Sequence, residues 1–117
     1  MGSIEKRNGF MGFVVNVEPK ARIDMKDFVD YIKKESISSA EKLKNEFEKG
    51  IDGIGILPFI YPTMKTPLGK KLGLRFCLVK KKFAIIYAVD ENKKLVQIFR
   101  VKHTSSDIKK IKKNEIN

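Results

Sequence analysis

The sequence predicts an α+β domain of order β-α-α-β-β-β, with two helices on one face of a small, mainly antiparallel four-stranded sheet. Three observations carry that expectation. Apolar residues alternate over 13–17, 74–79, 83–89 and 96–103, the period of strands whose successive side chains face opposite ways. Between the first and second of these the period changes to three and four, over two stretches long enough for helices. The last three strands are joined by "KKK" and "DENKK", short enough for antiparallel hairpins.

Each element has local signals. "FVVNVEP" sets Phe13, Val15 and Val17 against Val14, Asn16 and Glu18, and Pro19 ends the strand. From Ala21, the residues Met25, Phe28 and Ile32 recur on one side of a helix that runs to near Glu35. "SISS" interrupts it, and Ser38 with Glu41 three residues later forms a capping box for a second helix. Leu43, Phe47, Ile51 and Ile54 make its apolar face. Gly50, Gly53 and Gly55 weaken its last turns by roughly 1 kcal/mol each relative to Ala, and would let it approach a neighbour closely. Residues 57–73, with three prolines and two glycines, read as an ordered loop. After "TSS", Ile108 and Ile111 are spaced for a turn or two of helix. These elements make one domain that runs to residue 113, with 114–117 as a polar tail.

Alternation also assigns sheet faces. The bulky set is Leu74, Phe76, Leu78, Phe83, Ile85, Tyr87, Val89, Phe99 and Val101. With Phe28, Ile32, Leu43 and Phe47 it is the expected core, in which the Tyr87 hydroxyl should find a buried partner. The opposite face carries Arg75, Cys77, Val79, Ala84, Ile86, Ala88, Ile98, Arg100 and Lys102: a small apolar centre beside cations. Such a face needs a cover. The C-terminal helix through Ile108 and Ile111 and a protein partner are the two candidates, and both would use the same surface.

Charge narrows the function classes. Residues 1–61 hold ten Lys/Arg against ten Asp/Glu, whereas 62–117 hold fifteen against four, so the basic half carries the whole formal charge of +11. That segregation favours an anionic partner, either nucleic acid or an acidic protein segment. No apolar run approaches the ~20 residues of a membrane helix, and the first ten residues lack a signal peptide's apolar segment. One cysteine, Cys77, points to a reducing cytoplasm and reads as an inert strand thiol. One Cys with one His excludes a multi-ligand zinc site in a monomer, and nothing in the sequence calls for a cofactor. Candidate chemistry is sparse. Lys80, Lys81 and Lys82 could bind phosphate or simply form a solvated turn, and His103 could transfer protons or hydrogen-bond a nearby backbone group. Arg75 and Arg100 could grip a carboxylate or phosphate, or pair with Asp107.

The chain resembles the RelE/ParE superfamily of type II toxins, the plasmid stabilisation group. "MGFVVNVEPKA" is similar to that family's first strand and the proline opening its first helix, and "SSAEKLKNEFEKGIDGIGILP" to its second helix. "GLRFCLVKKKFAIIYAVDENKKLVQIFRVKH" resembles its pattern of an Arg, two strands with Ile-Tyr, an acidic turn and Ile-x-Arg-Val-x-His. The resemblance makes Met11 look like the family's usual start, so that the domain spans residues 11–113 and 1–10 are an extension or cloning remnant. It also implies a toxin neutralised by a cognate antitoxin, which the charge predicts to be acidic. RelE-like members cut messenger RNA on the ribosome; ParE-like members poison DNA gyrase. Cleaving members commonly carry an Arg one position after Phe83, where this chain has Ala84, and a Tyr or His near the chain end. "TSSDIKKIKKNEIN" has neither Tyr, Arg nor a second His. The resemblance is thus nearer ParE, with the messenger nuclease (His103, Arg75 and Arg100 at its site) and a non-toxic basic binding module as rivals. Arg75, Ala84, Ile86, Ala88, Arg100 and Lys102 are the expected antitoxin or target surface. Homodimer and toxin–antitoxin hetero-oligomer both remain open.

Overall fold

The computed structural model describes residues 5–8, 12–104 and 111–116. Its elements in chain order are β1 (Glu5–Asn8), β2 (Val14–Val17), α1 (Pro19–Lys33), α2 (Ile37–Ile56), α3 (Pro67–Leu72), β3 (Arg75–Val79), β4 (Phe83–Asp90), β5 (Leu95–His103) and α4 (Lys113–Ile116). The sheet order is β1-β2-β5-β4-β3, with β2 parallel to β5 and every other neighbour antiparallel. The four expected strands are β2 to β5, and α1 and α2 cover one face as the alternation requires. The edge strand β1 is an addition: it lies within residues 1–10, which the sequence set apart from the domain.

Local chemistry explains the helix ends. Pro19 occupies the first turn of α1, where a missing N–H costs nothing. The N-cap of α2 is Ser36, whose hydroxyl accepts from the Ser39 amide at 3.1 Å, so the helix starts before the expected Ser38–Glu41 box. Gly50 lies where α2 meets the sheet: a Cβ there would stand 2.9 Å from Ile85 Cδ1. The segment expected as plain loop contains α3, capped by Thr66 on the Gly69 amide at 3.0 Å, opened by Pro67 and closed by Gly73 at φ 65°.

The sheet faces differ from the alternation reading on β3 and half of β5. The principal core joins Phe47, Ile51 and Ile54 to Cys77, Val79, Phe83, Ile85, Tyr87, Val96, Ile98 and Val101, with Phe28 and Ile32 at its margin. In the β3–β4 ladder Val79 faces Phe83 and Cys77 faces Ile85, because a three-residue turn intervenes. Directly opposed residues share a face, so Cys77 and Val79 point into the core, while Leu78 is 51% exposed. On β5, a register shift beside Ile86 and Tyr87 places Ile98 opposite Tyr87 and Arg100 opposite Ile86. Phe99 is the extra residue of that bulge, so Arg100, Val101 and Lys102 keep their expected faces while Ile98, before it, turns into the core. Phe76 and Phe99 therefore leave the principal core and join a second cluster on the other face, around Leu74, Ile86, Ile111 and Ile116.

That second cluster resolves what covers the small-residue face. Met64, Leu68 and Leu72 from the loop and α3 lie over it together with Ile111 and Ile116. Residues 114–116, set apart by the sequence as polar tail, belong to α4 and bury Ile116. Ile108 and Asp107 lie outside the described residues.

Glu115 fastens this C-terminal strap. Its carboxylate accepts from Arg100 at 2.8 Å and pairs with Lys102. Partial burial pushes its pKa up, but the Lys102 ammonium, the Lys112 amide and the Arg100 charge outweigh that and hold it below the usual carboxylate value. A depressed folded-state pKa contributes stability that is present above the unfolded value, about 4.3 for Glu, and lost as pH falls through the folded one. Acidification below that value should therefore loosen the strap. Methyl NMR of Ile111 and Ile116 should show contacts to Ile86 weakening in acid, and Glu115→Gln should remove its part of the pH dependence.

Candidate functional site

The structure separates the six residues expected to form one binding surface. Ala84 and Ile86 are fully buried, and Ala88 packs against the second cluster. The expected shallow groove at their side is thus filled by the chain itself. Arg100 is held in a bidentate pair with Asp24 of α1, at 2.7 and 2.9 Å, as well as by Glu115. Asp24 also accepts the Val101 amide at 2.9 Å, beyond the point where β2 stops pairing with β5. Hydrogen bonding to Asp24 is the main cause of a raised Arg100 pKa, so its charge is permanent and internally neutralised. Lys102 shares Glu115. Arg75 lies away from this cluster, on edge strand β3 two strands over, and donates to the Phe59 and Tyr61 carbonyls at 3.2 and 2.6 Å.

Cys77 is buried and its thiol is pushed above its usual pKa by desolvation, as an inert core thiol should be. The Tyr87 hydroxyl finds the buried partner expected of it, donating to the Pro58 carbonyl at 2.5 Å; desolvation raises its pKa.

What the structure brings together instead is the lysine turn and His103. Phe83 stands opposite His103 in the β4–β5 ladder, their rings edge-to-face at 5.6 Å. Thr104 ties the two ends together: its amide donates to the Lys82 carbonyl at 2.8 Å and its hydroxyl to the Lys81 carbonyl at 3.0 Å. Lys80 and Lys81 both adopt positive φ, 53° and 59°, a conformation that favours Gly or Asn. Beside this turn lies a hollow of ≈ 480 Å³ between α1 and the sheet, lined by Asp27, Phe28, Tyr31, Lys82, Phe83 and His103 together with Ile32. Phe28 and Phe83 meet at a tilt with ring centroids 4.7 Å apart, while Tyr31 is 69% exposed at the rim.

This site has an aromatic floor and a rim carrying a lysine, an imidazole and a carboxylate. It can take an apolar or planar group while a cation meets an attached anion. Asp27, Phe28 and Tyr31 were missed as site residues by sequence reasoning, although Tyr31 stands out as an aromatic on the polar side of α1. A second hollow of ≈ 340 Å³, between the outer faces of α1 and α2, is a surface of mixed charge that includes the Lys26–Asp30 pair at 2.6 Å. It contains no His or Cys and lies apart from the lysine turn. Among the described residues no group of three or more His, Cys, Asp and Glu could hold a metal, and no helix is long and apolar enough to cross a membrane.

The family model described as the ParE toxin of type II toxin–antitoxin system, parDE, matches residues 15–108. The chain belongs to the ParE toxin family. That match runs from β2 through β5, so it takes in the principal core and the Lys82–His103 hollow. A chain of the crystal structure of the toxin–antitoxin complex RelBE2 from Mycobacterium tuberculosis is similar, with 18% identity over 79% of this chain and 91% of that one. The TM-score is 0.55, and at that identity the likeness speaks to the shared fold. No curated protein matches the chain. Within this ParE-family chain, the Arg-Val-x-His run has divided roles: Arg100 and Val101 hold α1 to the sheet through Asp24, and His103 reaches the hollow.

Proposed function

We propose that this ParE-family toxin acts by binding and poisoning DNA gyrase, without chemistry of its own, and that a cognate acidic antitoxin holds it inactive in the cytoplasm. The observation that carries this reading is the state of its cations. Cleavage of RNA by its 2′-hydroxyl needs a base, an acid and cations to stabilise the phosphorane. Where the cleaving members carry an Arg, Ala84 is buried, and Arg100 and Lys102 are neutralised by Asp24 and Glu115. Two of the three basic residues best placed on the sheet thus serve the fold. The RelBE2 likeness supports an antitoxin as partner, since that structure is of a toxin–antitoxin complex.

One observation favours the rival reading, cleavage of ribosome-bound messenger RNA. His103, Lys82 and Asp27 line one hollow with an aromatic floor, which provides a proton carrier, a cation and a carboxylate within one site. Induced expression with pulse labelling separates the two. The expected result is early loss of DNA synthesis with an SOS response, and toxicity that survives His103→Ala in a folded protein. Early loss of translation, with cleavage falling ~10²–10⁴-fold in His103→Ala, would reverse the order. Unchanged growth would remove both and leave a non-toxic binding module.

A further inference from the structure

Half of the exposed large apolar side chains among the described residues belong to the end of α2 and the short turn that follows it. They are Ile56, Leu57, Phe59 and Ile60, and Ile60 is 63% exposed. Connecting segments are ordinarily polar, because their side chains face water. This one is apolar and also firmly held. The Leu57 amide donates to the Gly53 carbonyl at 3.0 Å and the Ile60 amide to the Leu57 carbonyl at 3.3 Å. From inside, the buried Tyr87 hydroxyl binds the Pro58 carbonyl at 2.5 Å, and Arg75 binds the Phe59 and Tyr61 carbonyls. With the backbone anchored inward, the four side chains cannot retreat into the core by a small movement of the turn.

Two cations frame these side chains. The Arg75 guanidinium lies over the Phe59 ring at 5.2 Å from its centroid. Phe13 meets Phe59 edge-on at 6.1 Å, and the Lys94 ammonium lies over Phe13 at 5.1 Å. Lys94 holds φ 51°, a conformation in which Gly or Asn is ordinary, so a lysine stands where the backbone disfavours one. The nearby Asp90 carboxylate is turned back onto its own turn, accepting the Lys93 amide at 3.1 Å.

We propose that residues 56–60, framed by Arg75 and Lys94, form the docking knob for an acidic, amphipathic segment of the antitoxin. This rests on the toxin reading above and moves the interface from the small-residue face to the turn between α2 and α3. Apolar side chains of the segment cover Ile56, Leu57, Phe59 and Ile60, and its carboxylates meet Arg75 and Lys94. A turn already rigid before binding loses little conformational freedom on docking. A second copy of this chain is the poorer occupant, because it would bring a formal +11 and the same two cations against their like.

The test titrates the folded toxin against the product of the neighbouring gene, following association and dissociation at two salt concentrations. Ile60→Asp and Leu57→Ser should each weaken binding, Ile60→Asp by about 30-fold or more, as for an interface hot spot, mainly through faster dissociation. Lys94→Glu should slow association and reduce its salt dependence. Ile37→Ser, at a side chain 67% exposed on the first turn of α2, should change nothing. Thermal melts of each variant establish that the fold is kept, and Leu57→Ser serves if Ile60→Asp fails to fold. Unchanged affinity in the folded knob variants, or an equal loss in Ile37→Ser, overturns the knob while leaving the antitoxin reading intact. A dimer of the free toxin that Ile60→Asp dissociates overturns it in favour of self-association. Failure of the unaltered toxin to bind that product removes the antitoxin reading and the knob with it.

Discussion

Ile85→Ala should lower stability by about 2–5 kcal/mol, toward the upper end of that range. Ile85 is fully buried on β4, the strand between β3 and β5, opposite Cys77 on one side and Val101 on the other. From above, the α2 backbone at Gly50 approaches its Cδ1 so closely that a Cβ there would stand 2.9 Å away and force a shift. Ladders on both sides and a helix overhead leave the walls of the new cavity little freedom to collapse, and the cost of a truncation rises with the cavity that remains. Phe47→Ala should behave similarly, since Phe47 is buried with its ring 5.4 Å from Phe83. Leu78→Ala supplies the contrast. Its side chain projects from the edge strand into water, and a change there should stay within about 0.5 kcal/mol. Urea denaturation of the three variants checks the assignment, and a large loss for Leu78→Ala would mean that the β3 register is different.

Arg100→Ala should cost about 2–3 kcal/mol, somewhat less than the loss of one partner from a fully buried ion pair because this cluster is only partly buried. The change leaves the Asp24 carboxylate without its bidentate partner and deprives Glu115 of one of two cations. Lys102→Ala should cost much less, because Arg100 still meets Glu115. Pairing Arg100→Met with Asp24→Leu should recover part of the loss, as apolar pairs often replace ion pairs well. Recovery should stop short of complete by about 1 kcal/mol, the net value of a hydrogen bond, because the Val101 amide would lose its acceptor. Denaturation of the four proteins measures this. It also guards against a functional misreading: weaker antitoxin binding by Arg100→Ala would follow from a loosened α1–sheet junction without any contact between Arg100 and the partner.

The order and type of the main elements were legible in the sequence because they rest on local chemistry. Alternation over 83–89, three- and four-residue spacing through Phe28, Ile32, Leu43 and Phe47, and turns too short for a crossover are properties of neighbouring residues. The signals for α3 were equally local: Thr66, Pro67 and Gly73 form an N-cap, a first turn and a C-terminal glycine, obscured by the weight given to prolines as loop markers. The family resemblance was legible for the same reason, in the ordered fragments around "RFCLV" and "IFRVKH".

Alternation says that a strand has two faces, but it does not say which face meets the helices. That depended on pairing between distant residues. The three-residue turn that sets Val79 opposite Phe83 brought Cys77 into the core and left Leu78 outside. The bulge at Phe99 turned Ile98 into the core and Phe99 out of it, while Arg100 and Lys102 kept the face that alternation assigns them, where Glu115 waits. The hollow depends on the same pairing, since Lys82 and His103 meet only because Phe83 and His103 are ladder partners and Thr104 bonds across to the turn. Sequence determined which residues form strands, helices and turns; tertiary structure decided which side chains face each other, because a one-residue change in register reverses a whole strand while leaving its local pattern unaltered.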